Sequence, residues 1–145
     1  MDPDEPVLDS PTGWVSRHIR RYLDSAGADG HEWRPGVHTL LLTTRGRRSG
    51  KLHRTALIYG RDGDRYLVVA SVGGSPRHPA WYLNLTADPQ VQVQVGPERF
   101  TARARTATPE EKPRLWSQMT SIWPAYEGYQ RKTRRDIPVV VLERA

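Results

Sequence analysis

The stretch Thr43–Thr55, TTRGRRSGKLHRT, places Arg45, Arg47, Arg48, Lys51 and Arg54 within ten residues and contains no acid. Guanidinium forks, the Ser49 hydroxyl and two glycines that let backbone N–H groups come close make a combination suited to phosphate or carboxylate. The spacing is not G-x-x-x-x-G-K-[ST] and no helix follows, so a nucleotide P-loop is excluded. A solvated hairpin tip is the bland alternative for such a turn.

Two further stretches carry chemistry. In SVGGSPRHPAWYLNL, Ser71–Leu85, Gly73-Gly74 closes a strand and Pro79 starts a helix with Trp81 and Tyr82 in its first turn. Backbone N–H groups at that helix start favour anions, and the aromatic pair suits a flat ring. The alternative is that Trp81 and Leu85 only anchor the helix to the sheet. In SIWPAYEGYQ, Ser121–Gln130, Trp123, Tyr126 and Tyr129 recur every third residue and share one face of a helical segment. A core stripe is the default reading, but Glu127 and the nearby arginines make the segment too polar for full burial. A phenol with a pKa near 10 gives a proton to a reacting centre while staying neutral itself.

The elements that must position these residues follow from periodicity. Val15, Ile19, Tyr22, Leu23 and Ala26 form one face of an amphipathic helix whose other face is Arg17, His18, Arg20 and Arg21. Strands are expected at Val37–Thr44, Arg54–Gly60, Tyr66–Ser71, Val91–Val95, Arg99–Thr106 and Ile137–Arg144, mostly joined by short turns. That pattern implies an antiparallel sheet curled toward a barrel. Helices are expected at 79–87 and after the Thr108–Glu111 capping box, and a short helical or looped segment over 125–132. Residues 1–13, acidic and broken by proline, read as a flexible tail, with residues 14–145 forming one domain.

Composition narrows the function. Nearly all of the formal +6 charge sits in the basic turn, which points to a compact anionic ligand rather than a diffuse polyanion. With no cysteine, thiolate and zinc–sulfur chemistry are out, and His18, His31, His38, His53 and His78 show no metal-ligand pairing. No Ser–His–acid set is legible. A basic turn with aromatics and no acid–base pair suits a protein whose cofactor does the chemistry. The N-terminus is the opposite of a signal peptide, and no apolar run exceeds about five residues against the ~20 that span a bilayer. A cytoplasmic location is expected, with peripheral contact between the basic helix and the inner membrane face left open.

TTRGRRSGK, DGDRYLVVAS, PAWYLNLTADPQVQVQVG and WPAYEGYQ, in this order, resemble the deazaflavin-dependent nitroreductase family of actinobacteria. The resemblance runs from about Thr39 to Arg144 and implies a split β-barrel of the flavin-reductase, pyridoxamine-phosphate-oxidase-like type, mainly β with flanking helices. It implies coenzyme F-420 as the hydride donor and a small organic acceptor: a quinone, a nitroaromatic or an activated enone. Carried over by position, Arg47, Arg48, Ser49 and Lys51 would hold the cofactor's phosphate and polyglutamate tail. His53, Arg54, Thr55, Ala56, Leu57 and Ile58 would run along its length. Val69, Ala70, Ser71 and Val72, with Ala80, Trp81, Tyr82, Leu83 and Asn84, would enclose the ring and its side chain. Tyr126 would be catalytic at the hydride-transfer face, and Trp123 and Tyr129 would line the acceptor pocket. The chain departs from the family at Leu52-His53 and Ala56, and at Trp123, where nitroimidazole-activating members carry tyrosine.

Two other functions fit parts of the pattern: a split-barrel reductase binding flavin mononucleotide, and a non-enzymatic basic barrel stacking single-stranded nucleic acid. The aromatics fall in helices rather than along basic strands, which weighs against nucleic acid. Oligomeric state is not legible.

Overall fold

The β-branched and alternating runs all form strands. The computed structural model describes residues 2 and 4–145. In chain order the elements are β1 (Val7–Asp9), α1 (Gly13–Asp24), β2 (Glu32–Arg34), β3 (Val37–Arg45), β4 (Leu52–Ile58), β5 (Gly60–Asp62) and β6 (Arg65–Val69). A single 3-10 turn at Val72–Gly74 follows, then α2 (Ala80–Ala87), β7 (Gln90–Val95), β8 (Glu98–Thr106), α3 (Lys112–Ile122), α4 (Ala125–Arg131) and β9 (Val139–Arg144).

The strands form one sheet in the order β1-β4-β3-β7-β8-β9-β6-β5, with β2 paired to the start of β3. Its inner face joins Leu40 and Leu42 of β3 to Tyr66 and Val68 of β6, strands far apart in that order. The sheet is therefore curled into an open barrel, filled by Val91, Val93, Phe100, Val140 and Leu142. Strands β6 and β9 are buried on both faces, which is why YLVV and VVVL are continuous rather than alternating. Their outer residues Leu67, Val69, Val139 and Val141 pack on Leu115 and Met119 of α3 and Tyr126 of α4.

Helix α1 covers the outer face of β3, with Val15, Ile19 and Tyr22 against Leu41. Tyr22 fixes it: Oη donates to the Thr39 carbonyl at 3.0 Å and accepts the Gly96 N–H at 2.6 Å. The capping box at Thr108 and Glu111 forms reciprocally, with bonds of 2.9 and 3.3 Å.

Two expectations change. The sheet is mixed rather than antiparallel, because β1 pairs parallel to β4, with Val7, Leu8 and Asp9 opposite Leu52, His53 and Arg54. The N-terminal segment is thus not a free tail over its described residues; Met1 and Pro3 lie outside them. Its acids explain the docking: Glu5 pairs with Arg45, and Asp9 meets Arg54 at 2.6 Å. A basic run without acids in the sequence finds them in space. The three-residue strands β1, β2 and β5 are too short to show a period.

Candidate functional site

Between the β3–β4 turn, β4, α1, α2 and α4 lies a cleft with two compartments that share Ser10, Thr55, Ala80 and Trp81. The polar one, about 400 Å³, is lined by Arg47, Arg48, Ser49, His53, Arg54 and Asn84. With Arg45 and Arg54 neutralised, the turn's remaining cations are Arg47, Arg48 and Lys51, none of which has a carboxylate within 4.0 Å among the described residues. The turn is built, not floppy. Buried Asn84 accepts from the Arg47 backbone N–H at 3.2 Å and from its guanidinium at 3.1 Å, while its own amide donates to Thr44 Oγ1 at 3.3 Å. Ser49 Oγ accepts the Lys51 N–H at 3.1 Å and lies 3.2 Å from His53 Nε2.

The wall between the compartments is a strand edge. Ser10 N–H binds the Arg54 carbonyl, and Tyr59 N–H binds the His38 carbonyl on the other side of β4. Because backbone groups alternate sides along a strand, Arg54, Ala56 and Ile58 point away from β3. Strand β1 pairs only as far as Arg54. The N–H and C=O groups of Ala56 and Ile58 therefore face the cleft side, as donors and acceptors for a planar heterocycle.

The apolar compartment, about 590 Å³, is lined by Ala56, Leu57, Ile58, Val69, Ser71, Val72, Trp81, Trp123, Tyr126 and Tyr129, with Trp14, Val15, His18 and Trp33 closing it. Val72 is 53% exposed and sits at φ 44°. A β-branched residue in the left-handed region is strained by about 1–3 kcal/mol, so its surroundings must hold it there. Arg135, in the α4–β9 connection, does so. It donates to the carbonyls of Ala70, Ser71 and Ser75 at 3.0, 2.7 and 2.8 Å, and to His78 Nδ1 at 3.1 Å. Gly74 makes the same junction close: a Cβ there would lie 2.6 Å from the Tyr129 carbonyl, and its φ is +85°.

Tyr126 is 5% exposed, with Tyr129 edge-on at 6.0 Å between ring centres. Burial, and secondarily Tyr129, raises its phenol pKa above the ordinary 10.0. No protein group bonds its hydroxyl among the described residues, yet no buried side-chain polar atom there lacks a partner. The hydroxyl therefore opens onto the cleft, protonated and unspent. His18, at the α1 wall, is a donor: Thr39 Oγ1 gives its proton to the Gly30 carbonyl and so accepts from His18 Nε2 at 3.0 Å. Burial lowers the His18 pKa, keeping the imidazole neutral.

The structure thus gathers most of the residues singled out from the sequence around one cleft. Four line neither compartment. Lys51 is exposed on the turn, Leu83 faces away on α2, and Ala70 is fully buried with its carbonyl taken by Arg135. Tyr82 spends its hydroxyl on Thr106 Oγ1 at 2.8 Å and its ring on the core. Asn84 is a brace for the turn before it is a ligand contact. Trp14 and Trp33 carry no periodic or motif signal, and neither does Arg135; only the fold brings the two indoles to the cleft and Arg135 behind the loop that bounds it.

The model of the F420H(2)-dependent quinone reductase family matches residues 14–144. The F420H(2)-dependent quinone reductase Rv1261c of Mycobacterium tuberculosis is 41% identical over 143 residues, spanning 90% of this chain and 96% of its own. A solved F420-H2 dependent reductase (FDR-A) is 40% identical, with TM-score 0.67, over 72% of this chain and 93% of its own. Another solved chain, described as a domain-swapped dimer, is 39% identical, with TM-score 0.70, over 92% of this chain and 100% of its own. More distantly, a putative pyridoxamine 5′-phosphate oxidase from Listeria innocua, 15% identical with TM-score 0.51 over 86% of this chain and 91% of its own, shares the fold alone, the split barrel. The chain belongs to the F420H(2)-dependent quinone reductase family, an oxidoreductase family that uses the deazaflavin F420.

Proposed function

We propose that this protein reduces a quinone-type acceptor with hydride from reduced F420, the ring lying along the β4 edge. The observation that carries this reading is the continuity of the cleft. Uncompensated cations at one end, unpaired strand amides in the middle and a free buried phenol at the other match an anionic tail, a flat heterocycle and a reacting acceptor. The residues present fit the cofactor in kind. Arg47, Arg48 and Lys51 would bind its phosphate and carboxylates, Ala56 and Ile58 would meet the ring edge through their backbones, and Trp81 and Val72 would bound its faces. When bound, the reduced deazaflavin supplies a hydride.

The chain's own task is to orient, exclude water and manage one proton. Strained Val72, held through Arg135, fixes one wall of the ring slot. Tyr126 Oη, protonated at neutral pH, is placed to hydrogen-bond the acceptor oxygen on which negative charge develops. Tyr129 and Trp123 set the acceptor against it. Nitroaromatics and activated enones are further acceptors of the same electron demand.

The decisive experiment titrates the protein with F420 and, in parallel, with flavin mononucleotide, and then follows reduction of menadione. F420 should bind, more weakly as salt rises, and support menadione reduction; tighter binding of flavin mononucleotide would overturn the assignment. A peripheral membrane contact belongs to the same reading: Trp14 is 57% exposed at the start of α1, beside exposed Arg17, Arg20 and Arg21. A Trp with basic neighbours suits an anionic lipid surface. Sedimentation with anionic but not neutral vesicles is the expected result, and no sedimentation with either removes it.

A further inference from the structure

The outer face of the sheet holds another cavity, about 310 Å³, which shares only Arg54 with the cleft. Its place follows from register. Leu40, Leu42 and Val91 point into the core, so Leu41 and Thr43 of β3 point outward with their β7 partners Gln94 and Gln92. One strand further on, Arg99 of β8 stands opposite Gln94. Helix α1 covers the Leu41 end of this face, and Glu5 and Val7 of the N-terminal segment wall the cavity.

Polar side chains are buried here: Thr43 is 7% exposed and Gln94 6%. The nitrogen halves of the two glutamines have structural duties. Gln94 Nε2 donates to the Gly96 carbonyl at 3.0 Å, and Gln92 Nε2 to Thr101 Oγ1 at 2.9 Å. Their side-chain oxygens and the Thr43 hydroxyl bond no protein group among the described residues, yet no buried side-chain polar atom there lacks a partner. These three oxygens therefore open onto the cavity, beside the apolar Leu41, Leu52 and Val7. Acceptors on an apolar wall are costly to leave dry, so water or a ligand with N–H donors must meet them.

Charge narrows the choice. Glu5 and Arg54 spend their charges on Arg45 and Asp9. Arg99 has no carboxylate and Asp2 no cation within 4.0 Å among the described residues, so the cavity keeps one unpaired charge of each sign. A zwitterion answers both. We propose that this cavity binds a free α-amino acid with an aliphatic side chain. The ammonium takes the Gln92 and Gln94 oxygens and the Thr43 hydroxyl, with Asp2 adding attraction. The carboxylate takes the Arg99 guanidinium, and the side chain lies on Leu41 and Leu52. A cavity at the small end of the range for ligand sites suits a molecule of this size. The inference stands apart from the reductase reading, since none of these residues belongs to the acceptor compartment.

The test titrates the full chain calorimetrically with L-leucine and with its two halves. One is 4-methylpentanoate, which lacks the ammonium, and the other is 3-methylbutylamine, which lacks the carboxylate. Leucine should bind about tenfold more tightly than either. Arg99→Gln should lower leucine affinity to that of the amine and leave the amine unaffected. Thr43→Val, which keeps the shape and loses the hydroxyl, should weaken leucine and the amine alike, about fivefold, and spare 4-methylpentanoate. If Thr43→Val does not fold, Arg99→Gln alone decides, because Arg99 is exposed. No binding of leucine at millimolar concentration overturns the proposal and leaves the cavity to water. Wild-type leucine affinity in the variants overturns it too, because leucine then sits elsewhere. So does 4-methylpentanoate matching leucine, since the three oxygens would then hold no ammonium.

Discussion

The two compartments of the cleft are made in opposite ways. The polar one has a local cationic wall: Arg47, Arg48 and Ser49 belong to one turn and His53 to the start of β4, and a buried side chain, Asn84, reaches across to fix it. The apolar one is assembled from α1, β2, β4, the 70–74 loop and α4, with few hydrogen bonds of its own. On the reading proposed above, cofactor recognition would reside in a short, rigid, charged device and acceptor recognition in packing. The first tolerates change elsewhere in the fold. The second feels every element that touches it.

The largest expected effect separates the compartments directly. Tyr126→Phe retains the ring and its packing, so F420 affinity should stay near wild type while turnover falls roughly 10²-fold, as expected for loss of a positioned acid. Because burial raises the phenol pKa above 10.0, the neutral form persists as pH rises through the usual phenol range. Wild-type turnover should therefore show no loss up to about pH 10 that Tyr126→Phe lacks. A wild-type rate in the Phe variant would move the proton to another group, Tyr129 first.

Arg48→Ala attacks the other compartment. Loss of one charge-assisted bond, on the order of 1.5–3 kcal/mol, should weaken F420 binding roughly 10- to 150-fold and flatten its salt dependence. The acceptor KM should not follow. Unchanged binding would reduce the turn to a solvated hairpin.

Arg135→Ala strips the carbonyls of Ala70, Ser71 and Ser75 of their donors at the junction between the two halves. It should destabilise the fold by about 2–4 kcal/mol in thermal or urea unfolding, with Arg135→Lys intermediate. If instead the fold keeps its stability, Val72 is held by packing alone.

The smallest effect probes the compensation of the basic run. Asp9→Asn frees Arg54 and should tighten F420 binding a few-fold at low salt, since partly exposed pairs contribute about 0.2–1 kcal/mol. Weaker binding would mean that β1 itself is part of the cofactor wall.

The same contrast governs how much was legible in the sequence. The long strands and α1 follow from period because each buries a face along most of its length, whereas α2 and α3 are marked by the proline and the capping box at their starts. The basic turn was legible because its residues are contiguous in the chain. What stayed hidden depends on folding: Glu5 and Asp9 looked like a tail because three residues of strand carry no period, and their charges find partners only across β4. Trp14 and Trp33 belong to no motif, and only the fold brings them beside Trp123. Arg135 looked like one more cation in a basic segment, because backbone carbonyls leave no mark on the sequence. Of the two neighbouring aromatics on α2, Trp81 lines the cleft while Tyr82 bonds Thr106, a difference that adjacency in the chain does not show.

The half-covered edge of β4 has a cost in colloidal terms. Exposed strand edges recruit other strands, and proteins usually blunt them with lysine, proline or a bulge. At Ala56 and Ile58 none of these devices is present, and on the proposed reading the same amides meet the ligand. The cofactor would then act as the edge's guard as well as its cargo. Chains made while F420 is scarce should clump sooner than loaded ones. Light scattering during slow heating, with and without F420, should show later onset in its presence by more than the shift in melting temperature accounts for.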